Sequence, residues 1–216
     1  MFIFDQMWLY FTACFTLFLL TSWIMKRQSR YFFTMGHTRQ RFSIFDLEFP
    51  ATSAELIKLI KGIDELPNAN EAKVSKTALR SQLLTDFLFM LAVYPAVFML
   101  CMKTASKMQS TGQAVFVVLA YLQVLPLLFD VIENCYLLNK LKQPVESAAD
   151  VHRAYRYMVI AKWAIACTGA VTAFSGLTYF WVTGSYHENS VVFFVIMLIE
   201  IVLFVMVSQK KKKVSY

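Results

Sequence analysis

Long apolar runs without charge dominate this sequence and limit what it can fold into. The first run extends from Met7 to Met25, and no charged residue lies between Asp5 and Lys26. A run of about 18 or more apolar residues is long enough to cross a hydrocarbon core of about 30 Å as a helix. The pattern predicts five spans, at Met7–Met25, Leu83–Met102, Ala114–Leu138, Met158–Val182 and Asn189–Val207.

The composition agrees with a chain embedded in a membrane. Hydrophobic residues make up 58% of the 216 residues and charged residues 16%, whereas a soluble domain has about 45–50% and about 25%. The formal net charge of +7 indicates membrane topology and attraction to anionic lipid rather than a nucleic-acid surface. The predicted fold is an all-α integral membrane protein, and its predicted partners are the lipid bilayer and other membrane protein subunits, without nucleic acid.

Basic residues alternate between the segments that join the spans, and this alternation predicts the orientation. The segment after the first span contains ten Lys and Arg residues, whereas the loop between the last two spans contains none. Cytoplasmic loops carry an excess of Lys and Arg. A five-helix bundle with its N-terminus outside and its C-terminus inside satisfies this rule at every loop. The predicted division is a first helix at 1–25, a cytoplasmic segment at 26–82, a four-helix bundle at 83–209 and a basic tail at 210–216.

The cytoplasmic segment is predicted to form a small cap on the bundle. In FDLEF (45–49), apolar and acidic residues alternate with the period of an extended, half-buried strand, which Pro50 ends. Thr52 and Glu55 then form a predicted capping box for a short amphipathic helix. A basic amphipathic helix next to a bilayer is typical of one that lies in the membrane interface. The following PNANEAKVSK (67–76) is interpreted as a polar turn that leads into the second span.

One polar stripe lies inside the third predicted span. Asp130 follows Gln123 by seven residues, and Glu133 and Asn134 follow Asp130 by three and four. These spacings place the four residues along one helix face. Pro126 removes a backbone hydrogen bond within the same stretch and predicts a kink. This face of the helix is therefore expected to point away from lipid.

Other charged residues lie at similar depths in the neighbouring spans. At 1.5 Å of rise per residue, Asp130 is roughly 12 Å from the cytoplasmic end of its span, and Glu200 about 11–12 Å. Asp86 and Lys162 lie nearer to that end, at about 5 and 6 Å. The sequence therefore predicts one buried polar cluster in the cytoplasmic half of the bilayer, which contains Asp86, Gln123, Asp130, Glu133, Asn134, Lys162 and Glu200.

The charges of this predicted cluster do not cancel, because four carboxylates face one lysine. A buried carboxylate without a partner becomes protonated or binds a cation. Polar groups in spans also hold helices together by hydrogen bonds of about 0.6 to 2 kcal/mol. A structural cluster and a site for a proton, cation or ligand both agree with the pattern.

The fourth predicted span carries small residues at a spacing that allows close helix packing. Ala166, Gly169, Ala173 and Gly176 follow one another at intervals of three, four and three residues, and such a seam lets a second helix approach closely. The sequence leaves open whether that helix belongs to this chain or to a partner.

The known catalytic motifs are missing from the sequence. It has no Walker A loop and no GxGxxG, GxSxG or HExxH pattern. No catalytic residue and no cofactor are predicted, and metal binding is left open. Cys14, Cys101, Cys135 and Cys167 lie in apolar runs and are interpreted as small hydrophobic residues.

Three short segments carry a resemblance to other proteins. FDLEFP (45–50), DFLF (86–89) and FDVIEN (129–134) resemble segments of an uncharacterised group of bacterial multi-spanning membrane proteins. The resemblance implies that these segments contribute to one site near the cytoplasmic face, and it implies location in a bacterial inner membrane. It supplies no chemistry.

Two functions agree with these observations. The first is a non-enzymatic accessory or scaffold subunit of a membrane assembly, which docks through the small-residue seam and the fifth span. The alternative is a small transporter or binding protein that uses the acidic cluster for a proton, a cation or a cationic or lipid-like ligand. An enzymatic role is left open, although the missing motifs favour a non-enzymatic protein.

Overall fold

The protein is an all-α membrane-type chain with one short hairpin. The computed structural model describes residues 7–185 and 191–209. The predicted basic tail at 210–216 and the first six residues of the predicted 1–25 segment lie outside this described part. The elements are helix α1 (Met7–Gln28), a 3-10 turn (Ser29–Tyr31), strands β1 (Phe33–Met35) and β2 (Arg39–Arg41), and helices α2 (Ile44–Glu48), α3 (Ser53–Asp64), α4 (Ala69–Ala105), α5 (Ser110–Leu122), α6 (Val124–Lys142), α7 (Ala149–Val182) and α8 (Val191–Gln209).

Four helical segments are long and apolar enough to cross a membrane. They are Met7–Tyr31, Ala69–Ala105, Ser110–Lys142 and Ala149–Val182, and a shorter apolar helix follows at Val192–Ser208. This supports membrane-spanning helices at four of the five predicted positions. The fifth span and the orientation of the chain remain predictions.

The third predicted span is divided at Gln123 into α5 and α6. Pro126 is the reason, because its nitrogen has no hydrogen to donate to a carbonyl one turn earlier. Helix α5 ends at Leu122, four residues before Pro126. In its tightened last turn, the backbone N–H of Gln123 donates to the Ala120 carbonyl at 3.0 Å. In α6, Pro126 is the third residue and lies in the first turn, where a proline is tolerated.

The chain divides into two compact units. The first contains residues 7–23, 91–123 and the described residues from Ala166 onward. One of its apolar cores is formed by residues of α4, α5 and α7, and another by residues of α1, α4, α7 and α8. In the second core, the Trp8 and Phe194 rings lie 5.3 Å apart. Small side chains such as Cys101 and Ala173 are completely buried in the first core.

The second unit consists of residues 24–90 and 124–165. Its core is a single apolar cluster in which residues from α2, α3, α4, α6 and α7 pack with Phe32 and Phe42. Strands β1 and β2 pair antiparallel, with Thr34 opposite Gln40. The hydroxyl of Ser75 on α4 accepts from the N–H of Phe33 and donates to its carbonyl, both at 3.0 Å. The hairpin is thus fixed to α4, although no pattern in the sequence predicts it.

The FDLEF segment is not extended, which corrects the sequence-based expectation. Residues 44–48 form helix α2, whose start is fixed by Asp46, because its carboxylate accepts from the Ser43 N–H at 2.7 Å and hydroxyl at 2.9 Å. Of the three alternating apolar residues, Leu47 is buried but Phe45 and Phe49 are exposed. Five residues are too few to separate a period of two from one helical turn.

The amphipathic helix and its neighbour also differ from expectation. Helix α3 begins at the predicted Thr52 cap, whose hydroxyl accepts from the Glu55 N–H at 3.1 Å. Its apolar face is buried in the core of the second unit rather than in the membrane interface, as the buried Leu56 and Ile60 show. The predicted polar turn at 67–76 is mostly helical, because α4 already begins at Ala69.

Candidate functional site

The polar residues of the second unit surround one lysine. The Lys162 ammonium lies 2.6 Å from the Glu133 carboxylate and 2.9 Å from that of Asp130. A third carboxylate, Glu48, lies 3.9 Å away. The side chains of Lys162, Asp130 and Glu133 are only 4%, 8% and 2% exposed. These groups are therefore ion-paired almost without access to solvent.

Three helices bring these groups together. Asp130 and Glu133 lie one turn apart on α6, whereas Lys162 projects from α7 and Glu48 ends the short helix α2. The indole N–H of Trp163 donates to Glu48 at 3.0 Å. The hydroxyl of Tyr155 donates to the carbonyl of Leu47, next to Glu48, at 3.1 Å. Helix α2 is thus held against α7 at two successive residues.

A fourth carboxylate belongs to the same region. The side-chain amide of Asn134 donates to Asp86 on α4 at 2.7 Å. Asn134 follows Asp130 by four residues and lies one turn further along the same face of α6. Asp86 interacts electrostatically with Asp130 and Lys162, and it is half-buried. We call Glu48, Asp86, Asp130, Glu133, Asn134 and Lys162 the ionic cluster.

The structure brings together five of the seven residues that the sequence grouped. Gln123 and Glu200 instead belong to the first unit. The Gln123 amide donates to the Leu119 carbonyl at 3.2 Å, and Glu200 accepts from the Thr16 hydroxyl at 2.6 Å. Depth along a helix, which suggested the grouping, does not specify the direction in which a side chain points.

Glu48 and Trp163 were missed as members of the site. The alternating pattern of FDLEF predicts an extended segment outside the membrane for Glu48, and nothing in the sequence pairs Glu48 with Lys162. The resemblance of FDLEFP, DFLF and FDVIEN was the signal that could have found it, because it implied one shared site for these segments. No comparable signal marked Trp163.

Burial controls the protonation of Glu48, which lies outside the membrane-spanning helices. Burial raises the pKa of its carboxyl, and the charge of Asp130 acts in the same direction. Lys162 and the indole of Trp163 act in the opposite direction, but the net effect is a raised pKa. Glu48 is therefore easier to protonate than an exposed glutamate.

The small-residue seam is occupied within the chain. A Cβ atom added to Gly169 would clash with the Gln123 amide nitrogen and lie 3.2 Å from a methyl group of Val97. Ala173 is fully buried, and its carbonyl accepts from the Thr104 hydroxyl at 3.2 Å. A Cβ atom at Gly176 would also meet Thr104. Ala166, the first residue of the seam, is half-buried. The contacts of the other three residues favour helices of the same chain as the neighbours of the seam.

Comparison with other proteins provides no family assignment. No protein-family model, curated protein or solved structure matches the chain. Within the described residues, the structure contains no group of three or more His, Cys, Asp or Glu side chains arranged to hold a metal ion. The ionic cluster is therefore the feature of the described residues that indicates a function.

Proposed function

We propose that the protein is a non-enzymatic integral membrane protein of the transport class, which takes up and releases a proton at the ionic cluster. One observation carries this proposal. The single ammonium of Lys162 lies among the carboxylates of Asp130, Glu133 and Glu48, with Asp86 close by. One positive charge balances one carboxylate, and an uncompensated charge in a buried site is strongly unfavourable.

A proton suits this charge balance better than a metal ion does. The Lys162 ammonium already occupies the position between the carboxylates that a bound cation would take. Protons neutralise the remaining carboxylates without displacing the lysine, and a protonated carboxyl can donate a hydrogen bond to its neighbour. Binding of a metal cation would first require Lys162 to leave this position.

Glu48 provides the connection between the cluster and water. It is the one carboxylate of the ionic cluster that lies outside the membrane-spanning helices, at the end of α2. Its partner Trp163 is partly exposed, so this side of the cluster lies next to the protein surface. A proton can pass from solvent to Glu48 and from there to the carboxylates around Lys162.

Proton flux into vesicles tests this function. The protein is reconstituted into liposomes that contain a pH-sensitive dye, and a pH gradient is imposed. We expect the wild-type protein to dissipate the gradient faster than empty vesicles do. Glu133→Gln should remove most of the difference, because it replaces the carboxylate closest to Lys162.

The matched control is Glu65→Gln, which neutralises an exposed glutamate at the end of α3. This variant should retain the wild-type rate. A wild-type rate equal to that of empty vesicles, or equal rates for Glu133→Gln and wild type, would contradict the proposal.

A second candidate function is that of an accessory or scaffold subunit, which α8 favours. Large apolar residues are exposed on several sides of this helix. Among its large apolar side chains whose burial is described, only Met197 is buried. Either a partner helix or lipid would cover such an apolar surface. Cross-linking in native membranes from a residue such as Leu198 tests this candidate. Cross-links to another protein would favour it, whereas cross-links to lipid alone would contradict it.

The proposed topology has five spans, with the N-terminus outside and the C-terminus in the cytoplasm of a bacterial inner membrane. Helix α8 has 19 residues, which corresponds to about 28 Å and is close to the thickness of a hydrocarbon core. Labelling of single cysteines by a membrane-impermeant reagent tests this orientation. A cysteine at Ser185 should react from outside and one at Lys58 only after lysis, and the reverse pattern would contradict it.

A further inference from the structure

A basic groove lies between α4 and α6 in the second unit, separate from the ionic cluster. It is a half-open cavity of about 660 Å³, which is within the range of about 300–1,000 Å³ that small-molecule sites occupy. Four cationic side chains line the groove, and apolar residues form much of the remaining wall. The cations are Lys73, Lys76, Arg80 and Lys142.

Most of this positive charge is not compensated by the protein. Lys76 binds both oxygens of the Asp64 carboxylate, at 3.0 and 2.9 Å. Lys73, Arg80 and Lys142 have no acidic partner in the part of the chain that the structure describes. Three like charges around one groove repel one another, and an anion in the groove would relieve this repulsion.

The groove continues into an apolar surface on both helices. On α4, Arg80 is followed at intervals of four residues by Leu84 and Leu88, both about half exposed. On α6, Lys142 and Asn139 are preceded on the same face by Ile132 and Leu128, which are also exposed. Each helix thus changes from basic to apolar along one exposed face. Both helices belong to segments long and apolar enough to cross a membrane.

A cationic groove next to an exposed apolar surface matches the chemistry of an anionic phospholipid. Such a lipid has a phosphate at the membrane surface and acyl chains directly below it. Arginine binds phosphate through paired N–H donors, and lysine adds a second point charge. Basic pockets between membrane helices are suited to anionic headgroups. A soluble anion would use the cations but not the exposed leucines.

We propose that this groove is a binding site for an anionic phospholipid. Arg80, Lys73 and Lys142 hold the phosphate of the headgroup, and the acyl chains lie along Leu84 and Leu138, which both line the groove. The proposal rests on the protein being a membrane protein, but it does not depend on proton uptake at the ionic cluster. A failure of either proposal therefore leaves the other intact.

Native mass spectrometry of the full-length protein in detergent tests the site. Phosphatidylglycerol, phosphatidylcholine and inorganic phosphate are added separately, and the bound fraction is measured against concentration. We expect phosphatidylglycerol to bind much more tightly than phosphatidylcholine. The triple variant K73Q/R80Q/K142Q should weaken phosphatidylglycerol binding roughly a hundredfold, because each cation near an anionic lipid contributes roughly fivefold.

The matched control is K58Q/R153Q/R156Q, which removes the same charge from exposed positions outside the groove. It should change the affinity less than about threefold, since a diffuse charge effect is screened over about 10 Å. If the triple variant does not fold, the single variant Lys142→Gln should still lose roughly fivefold.

Three results would overturn the proposal. Phosphatidylcholine could bind as tightly as phosphatidylglycerol, or the control variant could lose as much affinity as the groove variant. Inorganic phosphate could also displace the lipid at an equal concentration, which would indicate a site for free phosphate rather than for a membrane lipid.

Discussion

Lys162 is the residue whose replacement tests the ionic cluster most severely. Lys162→Met removes the ammonium that Asp130 and Glu133 share but keeps a side chain that fills similar space. Removing one partner of a buried ion pair costs about 3–5 kcal/mol. Because both carboxylates are almost completely buried and both lose their closest cation, we expect the free energy of unfolding to fall by about 4 kcal/mol.

Reversible unfolding in mixed micelles measures this loss. The denaturing detergent is titrated, and helix content is followed by circular dichroism. The double variant Lys162→Met/Glu133→Gln should lose less free energy of unfolding than the two single variants lose together. The difference, which is the coupling energy, should be about 0.5–3 kcal/mol. The reason is that Glu133→Gln removes one of the carboxylates that Lys162→Met leaves without a counter-charge.

The control is Lys58→Met, at an exposed position of α3, which should change stability by no more than about 0.5 kcal/mol. A loss of less than about 1 kcal/mol for Lys162→Met would refute the reasoning, since it falls well below the range for a buried pair. Additive single variants would refute it as well, because they would show that the two charges do not interact.

Three further substitutions, one of them with a matched glycine control, test other parts of the second unit by the same unfolding measurement. Gly62→Ala should cost about 1–3 kcal/mol, because its Cβ would meet the backbone of β1, whereas Gly36→Ala has room and should change stability little. Burial raises the pKa of Glu48 above its ordinary value of 4.5. The folded protein therefore keeps a proton that the unfolded chain releases, and stability should fall as the pH rises above that value; Glu48→Gln should flatten this dependence. Tyr155→Phe should cost about 1 kcal/mol, because it removes the hydrogen bond to Leu47 but keeps the ring.

Each of these predictions has a clear contradicting result. Equal losses for the two glycine variants would show that α3 and β1 do not pack closely. A pH dependence that survives Glu48→Gln unchanged would assign it to another group. Tyr157→Phe, at an exposed tyrosine of α7, is the control for Tyr155→Phe, and equal effects of the two would show that the buried hydrogen bond contributes nothing.

The long helices could be predicted from the sequence because their physical signal is strong and local. A charge-free run such as 7–25 has few alternatives to a membrane-type helix. The stripe of Asp130, Glu133 and Asn134 was also readable, since it depends only on helical periodicity. These residues lie in one cluster in the structure, where Lys162 on the next helix binds Asp130 and Glu133, and Asn134 donates to Asp86.

The remaining features depend on contacts that are distant in the sequence. Glu48 joins Lys162 across more than a hundred residues, and its own segment is too short for periodicity to identify it as a helix. Helix α3 has the pattern of an interfacial helix, but its apolar face is covered by protein. For Glu200, the sequence indicates the depth along the helix but not the direction in which the side chain points.

Infrared spectroscopy of the protein in lipid bilayers detects a proton in the ionic cluster directly, because the C=O stretch of a protonated carboxyl differs from that of a carboxylate. We expect at least one carboxyl to stay protonated at neutral pH in the wild-type protein. This band should disappear in a variant with Glu48→Gln, Asp86→Asn and Glu133→Gln combined. A wild-type protein with every carboxyl ionised at neutral pH, or a band that persists unchanged in this variant, would contradict a proton in the ionic cluster.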